Sequence, residues 1–312
     1  MRAVWLRQFG APSELHIEDT QDPEPRAGTV LVDVAYANIT FVETQIRAGG
    51  GPFRPELPLI PGNGVGGTVR AVGPDVDPAL VGTRVVGSTG GSGGYAELAV
   101  VPTDVLYRVP DGLALDAAVA VLADGRTASL LVEAAALKPG DRVLIEAAAG
   151  GVGTLLTQLA KSAGATVVAL AGGPRKTELA TDLGADLAVD YLQPDWPTHV
   201  APVDVVFDGV GGSTGQTAFT LLKDGGRMLT YGLASGEWSA IPEADAAARA
   251  ISILRPSADP AAMRRLTESA LHAAATGTLR PVIGQRFPLE RAADAHSAIQ
   301  ARETVGKTLL EI

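Results

Sequence analysis

The stretch VLIEAAAGGVGTLLTQLAKSAGA, from Val143 to Ala165, constrains the fold more than any other part of the chain. It opens as a continuous apolar run, passes through a cluster of glycines, and closes with apolar residues at helical spacing. Aligned on the turn, AAGGVG reads A-x-G-x-x-G from Ala148 to Gly153. Gly150 would allow a pyrophosphate to approach closely, and Gly153 would let the helix pack near the strand. The start of the helix then faces the anion with its backbone N–H groups and partial positive charge. Ala148 departs from the usual first glycine.

The segments that follow alternate between strand-like and helix-like: TVVALAG, PRKTELATDLGA, LAVDY, VDVVFDGV, TGQTAFTLLKDGG and RMLTYGL. Such alternation predicts a parallel sheet with crossover helices. Gly164 and Gly184 stand where helix C-terminal glycines belong, and Pro174 suits a first helical turn. From Met1 to about Pro110 the pattern is different, with short apolar runs divided by Gly and Pro, as in antiparallel strands. A helical pattern begins near Asp116, read as an N-cap, and Gly125 is expected to break it. From about Ile253 a helix, a short strand, a short helix and a closing strand complete the chain.

A chain of 312 residues has room for about two domains. No apolar run approaches the ~18 residues of a membrane span, and no signal-like segment follows Met1, so a soluble, cytoplasmic protein with no membrane partner is expected. A net charge of −10 opposes general binding to nucleic acid or anionic membranes. Any anionic ligand therefore needs a local pocket. Cysteine is absent, which removes disulfides, thiolate catalysis and Cys-type zinc sites. His16, His199, His272 and His296 show no metal-ligand spacing, and no metal is expected.

The second strand bears on which dinucleotide is bound. An NAD site usually ends this strand with Asp or Glu, roughly 20 residues past the glycines, to bind the ribose 2′-hydroxyl. Here Gly172 takes that place, with Arg175 and Lys176 just beyond. A cation can bond a 2′-phosphate that a carboxylate would repel, so the expected cofactor is NADPH. A second motif, GGSGG around Ser92, fits G-x-S-x-G but lacks the strand-before and helix-after context of a hydrolase nucleophile, and reads as a hairpin loop.

In order and spacing, PGNGVGGTVRAVG, GGYAELAVV, GRTAS, LKPGDRVLIEAAAGGVGTLLTQLAK, LGADLAVDY, FDGVGG, LLKDGGRMLTYG, FPLERAADAHSAI and GKTLLEI resemble the zinc-independent quinone oxidoreductases of the medium-chain dehydrogenase/reductase superfamily. The resemblance spans nearly the whole chain. It implies an α/β protein: a Rossmann doubly wound parallel sheet over 122–252, with a GroES-like, mostly β catalytic domain from 1–121 and 253–312, and a cleft binding NADPH. It also implies that Gly150, Gly151, Val152 and Gly153 meet the pyrophosphate and Lys176 the 2′-phosphate. Gly173 stands at the family's Ser or Thr position, so that phosphate contact must come from backbone or elsewhere. By the same resemblance Tyr191 lies beside the adenosine, Thr127 and the TYG segment around Gly232 flank the nicotinamide, and Lys307 approaches the pyrophosphate. A strand-end aromatic such as Tyr191 also commonly packs, and a lysine entering a last strand is commonly exposed. A homodimer is the family expectation.

Departures cluster in the N-terminal half. Where the family often has N-P-x-D-x-Y-x-R, this chain has TFVETQIR, with Thr40, Glu43 and Gln45 as replacements and Arg47 retained. The acidic residue of the zinc-dependent relatives' G-H-E segment is absent, with Asn63 in its place. The implied reaction is hydride transfer to a quinone or an enone, with Thr40, Gln45 or Tyr95 donating to the developing oxyanion. An enoyl or 2-alkenal reductase on the same scaffold, and a non-catalytic NADPH-binding protein, are the alternatives.

Overall fold

The computed structural model describes residues 1–51 and 53–312, and the chain divides into two compact units, 1–123 with 267–312, and 124–266. The second unit is built on six parallel strands. Their spatial order is Leu187–Asp190, Thr166–Ala171, Arg142–Ile145, Val203–Asp208, Leu222–Thr230 and Ser252–Leu254. Every neighbouring pair is parallel. The central strands are apolar along their whole length rather than on alternate residues: Val143, Leu144 and Ile145 are fully buried, as are Val205, Val206 and Phe207. Continuous burial of this kind marks strands covered on both faces.

From Arg142–Ile145 the chain adds strands in one direction, and from Val203–Asp208 in the other. This is the order of the dinucleotide-binding doubly wound fold, in which ligands bind beyond the carboxyl ends of the strands at the point of reversal. The helix ends are closed as the sequence predicts. Gly164 and Gly184 adopt φ of +81° and +101° just past the helices Gly151–Ser162 and Pro174–Asp182.

The first unit carries a seven-stranded sheet. Ile283–Pro288, Lys307–Glu311, Thr29–Ile39, Gly64–Val72, Arg84–Ser88 and Leu106–Arg108 follow one another, and Leu98–Pro102 pairs with Thr29–Ile39. Only the pairing of Ile283–Pro288 with Lys307–Glu311 is parallel. Val30, Val32, Val69, Val85, Val101 and Leu310 form its core with Tyr95. Ser92 lies in the loop between two strands of this unit, Arg84–Ser88 and Leu98–Pro102, with no helix after it.

Three local expectations are corrected. Gly125 does not break the helix, which runs without interruption from Leu115 to Ala135. A helical glycine costs only about 1 kcal/mol against alanine, less than packing of the surrounding turns supplies. Asp116 is the second helical residue rather than the cap; it accepts from the Ala117 amide and pairs with Arg286. Residues 253–266 lie with the parallel-sheet unit, because Ser252–Leu254 is bonded to Leu222–Thr230 as a sixth strand.

Candidate functional site

The glycine turn follows directly from the third strand in spatial order. Ala147 opens it with φ +48°, a left-handed conformation that an alanine adopts only under constraint. Gly150 then caps the helix Gly151–Ser162 with no side-chain bond to the first turn. Among the described residues, the amides of Gly151, Val152 and Gly153 have no acceptor, whereas the Gly150 amide donates to Ala147 O at 2.8 Å. Gly153 has no room for a side chain: a Cβ there would lie 2.2 Å from Ala147 O and 2.7 Å from Ala148 Cα. At Gly151 a Cβ would lie 2.0 Å from Asp124 Oδ2. At Gly150 the nearest atom would be Ala147 O at 3.2 Å, a close contact but less crowded than at Gly151 or Gly153. Backbone donors, a less crowded glycine and a close helix–strand approach together fit a pyrophosphate.

The second strand ends beside it. Tyr191 is half-buried, and its hydroxyl would sit 3.1 Å from a Cβ on Gly172, so the ring lies over the end of that strand. Arg175 is exposed and Lys176 half-buried in the first turn of the helix Pro174–Asp182, which gives a 2′-phosphate two cations within one turn. Gly173 is a correction: its amide donates to Asp190 Oδ1 at 2.9 Å, so that backbone contact is already filled by a carboxylate. Hydrogen bonds from the Gly173 and Leu192 amides hold the Asp190 carboxyl below its usual range.

Sequence reasoning missed two acids at the point of reversal in the sheet. Glu146 follows the strand Arg142–Ile145, and Asp208 ends the adjacent strand Val203–Asp208; both are fully buried. Burial, the charge of Asp208 and a hydrogen bond between the two carboxyls push Glu146 well above the usual carboxylate range. Burial, then the charges of Glu146, Asp208 and Asp124, push the Tyr231 phenol upward. The available signal was in the sequence: VLIE and VVFD are two buried-type strands, each closed by an acid just before a small-residue turn. Gly232 follows Tyr231 and packs on the neighbouring loop, where a Cβ would lie 2.6 Å from Gly209 O. Thr127 is half-buried on the helix Leu115–Ala135.

In the first unit, Thr40 precedes the helix Phe41–Arg47, and Glu43 turns back to it. The Glu43 carboxylate accepts from Thr40 N at 2.6 Å, Thr40 Oγ1 at 2.8 Å and Asn63 N at 3.0 Å. Burial raises the Glu43 pKa, against these bonds and the charge of Lys307. Lys307 is only 3% exposed, and its charge acts on the buried Glu43 carboxyl of its own unit. Tyr95 is fully buried, with its hydroxyl 3.1 Å from His296 Nε2, and burial and the charge of Glu43 push its phenol upward. The Tyr95 hydroxyl is thus paired with His296, and the Thr40 hydroxyl donates to Glu43. Gln45 is half-buried on the same helix. Burial and the charge of Arg47 lower the His296 pKa to about 3, so the ring is neutral.

Among the described residues, no three His, Asp or Glu side chains gather so as to hold a metal ion, and no helix is long and apolar enough to cross a membrane. Residues 26–111 match the alcohol dehydrogenase GroES-like domain, and residues 183–310 the zinc-binding dehydrogenase family. The chain is 34% identical to a probable quinone oxidoreductase of Schizosaccharomyces pombe, over 98% of this chain and 96% of that one. A mycobacterial protein solved in complex with NADPH superposes with a TM-score of 0.92 at 32% identity, covering 100% of each chain. A 2-haloacrylate reductase of a Burkholderia species is 30% identical over 99% of this chain and 98% of that protein. With near-complete coverage of both units and this level of identity, the chain belongs to the quinone oxidoreductase family of the medium-chain dehydrogenase/reductase superfamily.

Proposed function

We propose that this protein is an NADPH-dependent, metal-independent oxidoreductase that reduces quinones or similar conjugated carbonyl compounds in the cytoplasm, as a homodimer. The observation that carries the reading is the row of three unpaired amides at Gly151, Val152 and Gly153, beyond Gly150. The likeness to a mycobacterial protein solved with NADPH and to named quinone oxidoreductases supports it. For the homodimer, the strand Ser252–Leu254 ends the parallel sheet with one neighbour only, and Ile253 is 39% exposed. Sedimentation at about twice the chain mass is the corresponding check.

When bound, NADPH would supply a hydride to an acceptor that is already electrophilic. The chain's own part is binding and orientation. The glycine-turn amides hold the pyrophosphate, Lys176 the 2′-phosphate, and Tyr191 the adenosine end, with Thr127 and Gly232 beside the nicotinamide. Of the three oxyanion donors expected from the sequence, Gln45 is the one we retain, because the Thr40 hydroxyl donates to Glu43 and the Tyr95 hydroxyl is paired with His296. Metal independence is supported by the absence of cysteine and the presence of Asn63 in the PGNG segment.

Lys176→Ala tests the cofactor assignment. A bond to a charged group contributes about 1.5–3 kcal/mol, so the variant binds NADPH roughly 10- to 100-fold more weakly and NADH unchanged. Equal losses for the two nucleotides would contradict the assignment. A second reading, reduction of an alkene conjugated to a carboxyl group, is favoured by the likeness to a 2-haloacrylate reductase. A panel of quinones, enones and acrylates, followed by loss of NADPH absorbance, separates the two readings. Tight NADPH binding with no oxidation on any acceptor would instead indicate a binding protein without turnover.

A further inference from the structure

Glu146 and Asp208 stand side by side where the sheet reverses its winding. Phe207 pairs with Ile145 in the parallel register, which makes Glu146 and Asp208 the next lateral pair. The Glu146 amide donates to Phe207 O at 3.1 Å, so the two backbones are still joined at this level. Glu146 leads into the glycine turn, and Asp208 leads into the loop 209–212.

The two carboxyls organise the segments around them. Glu146 Oε2 accepts from Val210 N at 3.0 Å. Asp208 Oδ1 accepts from Gly211 N at 2.7 Å, and Asp208 Oδ2 from Ser239 Oγ at 2.7 Å. Through these bonds one pair of side chains ties down the loop after the fourth strand and the segment carrying Ser239. Tyr231 joins the same cluster, its hydroxyl donating to Glu146 O at 3.3 Å.

Nothing on any neighbouring element neutralises the pair. Among the described residues, no lysine, arginine or histidine lies within ion-pair distance of either carboxyl. The titratable groups beside them are Tyr231, after the strand Leu222–Thr230, and Asp124, on the helix Leu115–Ala135. Glu237, in the same loop as Ser239, adds a further acid near Gly212. Glu146 Oε1 is buried without a hydrogen-bond partner among the described residues. Two adjoining buried carboxyls without a cation cannot both ionise.

We propose that Glu146 and Asp208 share one proton and act together as positioning residues, holding the loop 209–212 and Ser239 beside the glycine turn so that loss of that proton loosens the NADPH site. The proton is held by the pair as a unit, which then carries a single negative charge. The link to cofactor affinity rests on the reading of the glycine turn as the NADPH site; the shared proton itself does not.

The raised pKa of Glu146 fixes the sign of the pH effect. The folded state holds a proton that the unfolded chain releases near an ordinary glutamate value of about 4.3. The stabilisation is therefore whole below that pH and declines as pH rises toward the folded value, above which it is lost. Glu146→Gln keeps an N–H donor toward Asp208 at every pH.

The experiment compares the wild type with Glu146→Gln without added nucleotide, by infrared spectroscopy at neutral pH and by melting temperature across pH. A protonated-carboxyl C=O band in the wild type, missing from the variant, is expected. The melting temperature of the wild type should fall relative to that of the variant as pH rises. Absence of the band, or a difference that does not vary with pH, would overturn the shared proton. NADPH titration across pH then tests the positioning role: affinity that weakens with rising pH in the wild type and stays level in Glu146→Gln supports it, and parallel profiles would overturn it. Infrared and melting results need no cofactor, so failure of the NADPH reading is distinguishable from failure of the pair.

Discussion

Gly153→Val abolishes NADPH binding at concentrations that saturate the wild type. The cause is steric and lies in backbone rather than in a side chain that could swing away. A Cβ at this position falls 2.2 Å from Ala147 O and 2.7 Å from Ala148 Cα. To admit the side chain, the helix Gly151–Ser162 must move off the turn, and its first amides move with it. A displacement of about 1 Å in a positioned group costs ~10²-fold, and here all three donors shift together. Gly150→Ala is the folded companion. Its φ of −84° suits any residue, and the nearest atom to a Cβ is 3.2 Å away. Its methyl group would press on Ala147 O in the turn, so affinity falls about tenfold, roughly 1.4 kcal/mol, with a far smaller structural disturbance than Gly153→Val. Cofactor fluorescence titrations read both variants, and wild-type affinity in Gly153→Val would show that the turn does not hold the pyrophosphate.

Glu43→Ala has the largest expected effect on stability. Glu43 is 7% exposed, and its carboxyl accepts from Thr40 N, Thr40 Oγ1 and Asn63 N while sensing the buried charge of Lys307. Removing one partner of a buried charge cluster leaves the other uncompensated, at a cost of about 3–5 kcal/mol. That is a large fraction of the ~5–15 kcal/mol by which a typical domain is stable. Glu43→Gln keeps the volume and one acceptor oxygen, and costs about 1–3 kcal/mol. Urea denaturation measures both. Losses within ±0.5 kcal/mol, the range of an ordinary surface change, would show that the cluster does not hold the first unit together.

The parallel sheet was legible because its central strands are apolar throughout and because glycines mark each crossing, with Gly153, Gly164 and Gly184 all in the roles their positions predict. The first unit was legible as β from its short runs between Gly and Pro. What escaped was everything that depends on which distant residues become neighbours. Tyr95 and His296 are 201 positions apart, and nothing local to either announces a shared hydrogen bond. Glu146 and Asp208 could be suspected singly as acids closing buried strands, but their adjacency follows from the spatial order of the strands, which a single sequence does not state. Thr40 and Tyr95 were read as donors to a bound acceptor because their partners, Glu43 and His296, are not announced by the local sequence. Gly125 was misread for the opposite reason, a local propensity having been given more weight than the packing around it.

The claim beneath the rest is that reduced dinucleotide phosphate docks on the amides of Gly151, Val152 and Gly153. Titrating the purified protein in parallel with NADPH and NADH, by calorimetry, tests it directly. Saturable binding at one nucleotide per chain, tighter for NADPH than for NADH, is the predicted result; heats that never saturate with either nucleotide would contradict it.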